Sequence, residues 1–355
     1  MSGFAPDWAV PPGNTIREIM RQRNLSEPQL TELLNKSNSY IAGLLSGEIP
    51  ITHDDATLLS VILGSTPGFW QRRQERFEHF KESRVKHSFM KWVEEIPFPD
   101  MVRYGWISNV KDRAHAALEY FGYSDIDHWY RNDQSKALLA FRKSDILREN
   151  PIAVQAWVRR GEILADSISC KPWNRQSFID LIYNSRYLTR KKNPEAFLAE
   201  LVAQCSECGV AITVARAPKG CPVSGAAKFI RPDKGLIILS FRYLTDDQFW
   251  FTFYHEAAHL ILHDQSSIFV DTSMNDEMYH TDRLEIEANE FASEVLIPKS
   301  FRTRVLNVPL TPKALMRLAL EIGISVGILV GQLQHLRRIE FSRLNYLKRR
   351  FIWEG

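Results

Sequence analysis

The sequence predicts an α+β protein. It should have an N-terminal all-α helix-turn-helix domain, a helical connector, and a C-terminal domain with a small sheet packed on helices. Three observations lead there. Residues 14–80 read as short helices broken by tight turns. Short β-branched runs occur only later, at 210–214 and 236–240. Helical periods return after them, at 246–263, 284–296, 312–322 and 325–338. The chain's 355 residues are enough for three such parts, divided at 1–80, 81–170 and 171–355.

The N-terminal elements follow from local signals. Residues 15–23 place Ile16, Ile19 and Met20 at helical spacing. Ser26 can cap a second helix with Gln29 at the capping-box position, and Leu30, Leu33 and Leu34 should face inward. Lys36, Ser37 and Asn38 make a turn into a third helix, 38–46, which carries Ile41, Leu44 and Leu45 and ends at Gly47. A fourth helix, 54–63, ends at Gly64, and Pro67 opens a fifth running toward Phe80. Helices two and three, joined by a short turn and framed by others, make a helix-turn-helix pattern, which small helical bundles in general share.

Residues 81–170 are helical in period but interrupted by Pro97, Pro99, Gly105 and Gly122, and Trp92, Trp106, Trp129 and Trp157 imply packed chain. Four cysteines are too few for a disulfide scaffold. Cys205 and Cys208 form a lone CxxC at the end of a helix at 197–208, without a second pair to complete a zinc site, so they read as structural. The net charge of +3 does not by itself argue for nucleic acid. Residues 301–355 hold ten basic residues against three acids, which reads as a solvated helical face or as a basic patch for DNA or an acidic partner. No apolar run approaches the ~20 residues of a membrane span, and the first residues lack the marks of a signal peptide. A cytoplasmic location is the expectation.

The chemistry is concentrated at 249–263, which contains His255-Glu256-Ala257-Ala258-His259. Positions i and i+4 of a helix lie on one face, so both imidazoles point the same way and can bind zinc at ~2.0–2.1 Å. Glu256, one residue beyond the first ligand, is directed beside the metal and can take a proton from water. Zinc makes a bound water acidic enough to attack a peptide carbonyl at neutral pH. Small Ala257 and Ala258 leave room, and the other helix faces are apolar. The contrary reading is a buried helix whose histidines only hydrogen-bond.

A catalytic zinc needs a third protein ligand and one open position. The position ten residues after His255 is Gln265, not histidine. His263 continues the same face and reads as an outer residue rather than a ligand. Helix 284–296 offers Glu285, Glu287 and Glu290. Glu285, Ala288, Asn289 and Ala292 share a small, polar face suited to lie against the histidine helix. Glu285 is then placed to bind metal and Asn289 to hydrogen-bond a ligand histidine. Glu287 points elsewhere and ranks second, and Glu290 reads as solvated.

These residues carry a resemblance. The stretch 249–263, then Glu285-x-x-Ala288-Asn289-x-Phe291-Ala292 and Leu296-Ile297-Pro298, is similar to the ImmA/IrrE family of metallo-endopeptidases, which have a zincin-like fold. Asp233-Lys234, the strand 236–240 and the tail 327–335 match as well. The resemblance implies zinc held by His255, His259 and Glu285, with Glu256 as the base. Residues 12–75 resemble the Xre-type helix-turn-helix of HigA-like antitoxins, through Pro12-Gly13, Leu25-Ser26, Ile41, Leu44 to Gly47, Pro50 to Thr52 and Phe69-Trp70. It implies that Lys36, Ser37, Asn38, Ser39 and Tyr40 open the helix that enters the major groove. Ala42-Gly43 stands where a polar-basic pair is usual, and Glu27 stands where a glutamine often contacts phosphate, a position at which a carboxylate opposes binding. Arg17, Arg21, Arg23 and Lys36 remain for backbone contacts.

The expectation is a zinc-dependent endopeptidase that cleaves a repressor or antitoxin and carries its own DNA-binding domain. An extended substrate segment would add at an edge strand near 236–240. The alternative is an antitoxin-like transcriptional regulator whose metal domain is a sensor or scaffold. Partners are then a protein substrate, double-stranded DNA and, as in other Xre-type proteins, a second copy in a homodimer.

Overall fold

The structure is a computed structural model, and it describes residues 10–109, 111–132, 150–240, 242–264, 269–271 and 283–352. The chain divides into two compact units, Met1–Trp92 and Val93–Gly355.

The first unit contains α1 (Pro12–Gln22), α2 (Glu27–Leu34), α3 (Asn38–Ser46), α4 (His53–Leu63) and most of α5 (Pro67–Glu95). Ser26 and Gln29 close a reciprocal capping box on α2, and Thr52 and Asp55 close another on α4. Ser37 caps α3, and Gly47 ends it at φ 81°, a conformation glycine adopts without steric cost. Ile16, Leu30, Leu34, Ile41, Leu45, Leu59 and Trp70 form the core. Leu33 does not face inward as its spacing suggests: it is 50% exposed and lies outside the core formed by Leu30 and Leu34. The fifth helix also runs well beyond Phe80.

The second unit opens with α6 (Phe98–Arg103), α7 (Arg113–Phe121), α8 (Ile126–Asn132), α9 (Pro151–Asp166), α10 (Arg175–Asn184) and α11 (Pro194–Ser206). Trp129 and Trp157 are buried, and Trp157 Nε1 donates to the carbonyl of Ala215 at 2.7 Å. Strands β1 (Val210–Val214), β2 (Gly225–Arg231), β3 (Lys234–Leu239) and β4 (Phe269–Asp271) form one mixed sheet in the order β1-β3-β2-β4. β1 pairs parallel with β3, while β2 runs antiparallel to both β3 and β4. The remaining helices are α12 (Asp246–Leu262), α13 (Arg283–Leu296), α14 (Arg302–Leu306), α15 (Pro312–Ile322) and α16 (Val326–His335).

Side chains alternate across the sheet, as strand geometry requires. Val210, Ile212, Ile237 and Leu239 join the core containing α12, whereas Ala211, Leu236 and Ile238 join Trp157, Val154 and Val158 of α9 on the other face. β3 is therefore buried on both faces and paired on both edges. The expected substrate edge near 236–240 is corrected by this order: the outer strands are β1 and β4. Burial raises the Cys205 thiol well above its ordinary value and that of Cys208 upward, so both stay protonated, as structural cysteines do. Among the described residues no single helix is long and apolar enough to cross a membrane; α15 and α16 pass such a test only as a pair bent by 103°.

Candidate metal centre

The candidate centre is built on α12, a helix enclosed along almost its whole length. Phe249, Trp250, Phe253, Tyr254, Ala257 and Ala258 are buried in it, and each large side chain removed from water contributes roughly 1.5–3 kcal/mol. That burial holds the helix between the sheet, α13 and α16. It also leaves His255 at 2% and His259 at 1% exposure, locked by their surroundings.

α13 lies alongside with the face that its sequence pattern selects: Ala288 and Ala292 are fully buried and let the two helices approach. The approach brings Glu285 to the histidines. His255 Nε2 and His259 Nε2 are 3.0 Å apart. Glu285 Oε2 is 3.2 Å from His255 Nε2, and Oε1 is 3.5 Å from His259 Nε2. These three residues are a group whose ligand atoms all lie within 4.8 Å of one another. Donors bound tetrahedrally at ~2.0–2.1 Å would stand about 3.3 Å apart. The observed separations sit around that value, so the residues fit a zinc ion, with a donor set of two imidazoles and one carboxylate.

Each imidazole is oriented from behind. His255 Nδ1 donates to Asn289 Oδ1 at 3.0 Å, which leaves Nε2 with its lone pair toward Glu285 and His259. His259 Nδ1 is 2.9 Å from His263 Nδ1. His263 Nε2 lies 3.5 Å from Glu287 Oε2, and Glu287 is in turn bound by Arg283 at 2.7 Å. Glu287 thus stands behind the histidines rather than among the close donors. Burial first, then the neighbouring His255 and His263, push His259 far below the ordinary imidazole value, so it is neutral and able to donate a lone pair to a metal. The Phe269 ring stacks on His259 with centroids 4.2 Å apart and planes 12° from parallel.

Glu256 is fully buried and faces β2. A Cβ on Gly225 would fall 2.7 Å from Glu256 Oε1 and 2.5 Å from Thr252 Cγ2, so only glycine lets the strand pass the carboxylate so closely. Sequence reasoning missed Gly225, Thr252 and Phe269. Glycine and alanine at the start of β2 carry no strand signal, and β4 has only three residues. Position 265, weighed as a histidine site, lies outside the described residues.

The residues expected at DNA open α3 and the turn before it. Asn38 and Ser39 are exposed, and Ser37 spends its hydroxyl on the cap of α3. Lys36 and Tyr40 serve the fold as well: Tyr40 Oη donates to the buried Asp55 at 2.7 Å, and Lys36 Nζ is 3.9 Å from the same carboxylate.

No curated protein matches the chain. Among solved structures it is similar to an addiction module antidote protein of a HigA family from Coxiella burnetii, at 25% identity and a TM-score of 0.21, covering 23% of this chain and 92% of that one. His255, Glu256, His259, Glu285 and Asn289 all fall within residues 211–333, which match the family model described as Peptidase_M78, the IrrE N-terminal-like domain.

Proposed function

We propose that the chain is a zinc-dependent endopeptidase of narrow specificity that cleaves a regulatory protein, a repressor or antitoxin, in the cytoplasm. The observation that carries the reading is the trio of donor atoms from His255, His259 and Glu285, spaced as one tetrahedral ion needs, with both imidazoles and Glu256 buried and Glu285 half-buried. The family match over 211–333 supports a metallopeptidase-like domain. His255, His259 and Glu285 would hold the metal, with Asn289 and His263 orienting the two rings. Zinc, when bound, supplies a Lewis acid and acidifies a water molecule. Glu256 takes the proton of the attacking water and passes it to the leaving amine nitrogen. Among the described residues no strand pairs with the outer edge of β4, and Phe269 of β4 touches His259, so an extended substrate has its natural place along that strand.

The test uses the purified protein and purified candidate repressor or antitoxin proteins as substrates. Glu256→Gln should retain one zinc per chain and lose cleavage by at least a hundredfold. Cleavage at the normal rate by that variant would refute the mechanism.

A second reading, a transcriptional regulator of the antitoxin kind that binds double-stranded DNA as a homodimer, draws on the exposed Asn38 and Ser39 at the start of α3. It predicts salt-dependent binding to the chain's own promoter, weakened by Lys36→Glu together with Arg21→Glu. Repression that persists in Glu256→Gln with the metal removed would favour this reading over the enzyme.

A further inference from the structure

A second concavity lies at the opposite end of α12 from the metal ligands, about 12 Å along the helix axis from His255 at 1.5 Å per residue. It is a cavity of about 220 Å³ between the start of α12, the end of α16 and the C-terminal segment. That segment is strapped to the helix start: Asp246 N donates to the carbonyl of Arg349, and Phe351 N to that of Leu244. The interior is charged and held rigid. Lys348 Nζ lies 2.6 Å from Asp247 Oδ2 and 2.6 Å from Gln334 Oε1. Gln334 Nε2 is spent on the carbonyls of Phe341 and Arg343 and on Asn345 Oδ1. A Cβ on Gly331 would fall 2.6 Å from Asp247 Oδ2, so the helix end is pared back where the ion pair sits.

The fold consumes those groups apart from Asp247 Oδ1, which is buried without a hydrogen-bond partner among the described residues and can accept from a ligand hydroxyl, and what else remains for a ligand is specific. Asp247 neutralises Lys348, whereas Arg350 lines the cavity, is exposed and has no carboxylate partner among the described residues. Gln248 lines it with its side-chain amide unengaged among the described residues. Two exposed aromatic rings, Tyr243 at 40% and Phe341 at 62%, stand at the mouth. A surplus guanidinium favours an oxyanion, an amide favours a polar edge, and exposed rings favour a flat body. The volume is below the ~300–1,000 Å³ of sites for drug-sized ligands, so the occupant is compact.

We propose that this cavity is a binding site for a small organic anion, an aromatic carboxylate or phosphate ester whose oxyanion is held by Arg350 beside Tyr243, Phe341 and Gln248. Such a ligand would bridge the C-terminal segment and the first turn of the metal-bearing helix, and so is positioned to act as an effector. The site shares no residue with the metal centre, so it stands or falls apart from proteolysis.

Calorimetric titration of the full-length chain would use 4-hydroxybenzoate, phenyl phosphate and inorganic phosphate as probes. The carboxylate and the phosphate ester distinguish the two sources of the anion. At least one should bind one-to-one and at least tenfold more tightly than inorganic phosphate. Arg350→Ala should weaken that binding tenfold or more, and Tyr243→Ala or Gln248→Leu severalfold, with unchanged melting temperature in the absence of probe. The proposal is overturned if neither organic anion binds. It is also overturned if inorganic phosphate binds as well as they do, or if Arg350→Ala leaves their affinity unaltered.

Discussion

Asn289 Oδ1 accepts a hydrogen bond from His255 Nδ1 at 3.0 Å, one helical turn beyond the carboxylate of Glu285 on the same face of α13. One helix therefore delivers both the carboxylate of the candidate metal site and the group that hydrogen-bonds its neighbouring imidazole. Asn289→Ala should weaken zinc binding ~10–100-fold without changing the stoichiometry at saturating metal. Competition against a chromophoric chelator measures this, and unchanged affinity would show that the bond does not orient His255.

Glu285 and Glu287 are separated by position: Glu285 stands beside the Nε2 atoms of His255 and His259, whereas Glu287 meets His263. Glu285→Ala should leave the purified protein without stoichiometric zinc, whereas Glu287→Gln should keep one zinc per chain at an affinity lowered at most ~10–100-fold, because Glu287 acts only through His263. Metal analysis of the two variants checks the assignment, and the opposite ranking would exchange the roles of the two glutamates.

Gly225→Ala puts a methyl group 2.7 Å from Glu256 Oε1 and 2.5 Å from Thr252 Cγ2. Overpacking of this kind costs ~1–3 kcal/mol. The displaced group is the proposed base, so hydrolysis should fall by at least tenfold while zinc stays bound. A variant as active and as stable as the parent would mean that Glu256 works from another position.

Burial opposes the charge on Asp55, but bonds from Thr52 and Tyr40 and the nearby Lys36 outweigh it and hold the carboxyl below its ordinary value. A carboxylate whose folded-state value is depressed adds stability that is complete above the unfolded value of about 3.9 and is lost as pH falls through the folded one. Asp55→Asn should therefore be less stable than the parent at pH 7, with the difference shrinking below about pH 4. Thermal denaturation of both proteins across that range measures it, and a difference constant down to pH 2 would contradict the assignment. Tyr40, whose hydroxyl is raised to about 12 by burial and by Asp55, stays protonated throughout and keeps donating.

Much of this was legible because the signals are local. Ser26 with Gln29 before α2 and Gly47 after α3 mark helix ends through caps that form whatever the surroundings. β1 and β3 showed themselves as short β-branched runs, and both are buried along nearly their whole length. β2 and β4 did not. The small residues of β2 are chosen by the helix that passes over them, and β4 is too short to carry a period. Leu33 fits the helical period yet is half exposed, so spacing alone misplaced it.

The amino-acid order by itself determined the His255–Glu256–His259 unit, since a helix sets imidazoles at i and i+4 on one side without help from the rest of the chain. It also determined the small face that α13 presents. The tertiary structure alone decided which carboxylate stands 3.2 Å from His255, which strand lies outermost beside the metal centre, and that Gly225 makes room for Glu256. The reason is physical. Local spacing fixes directions around one helix axis, whereas distances between elements far apart in the chain follow from how their buried faces pack.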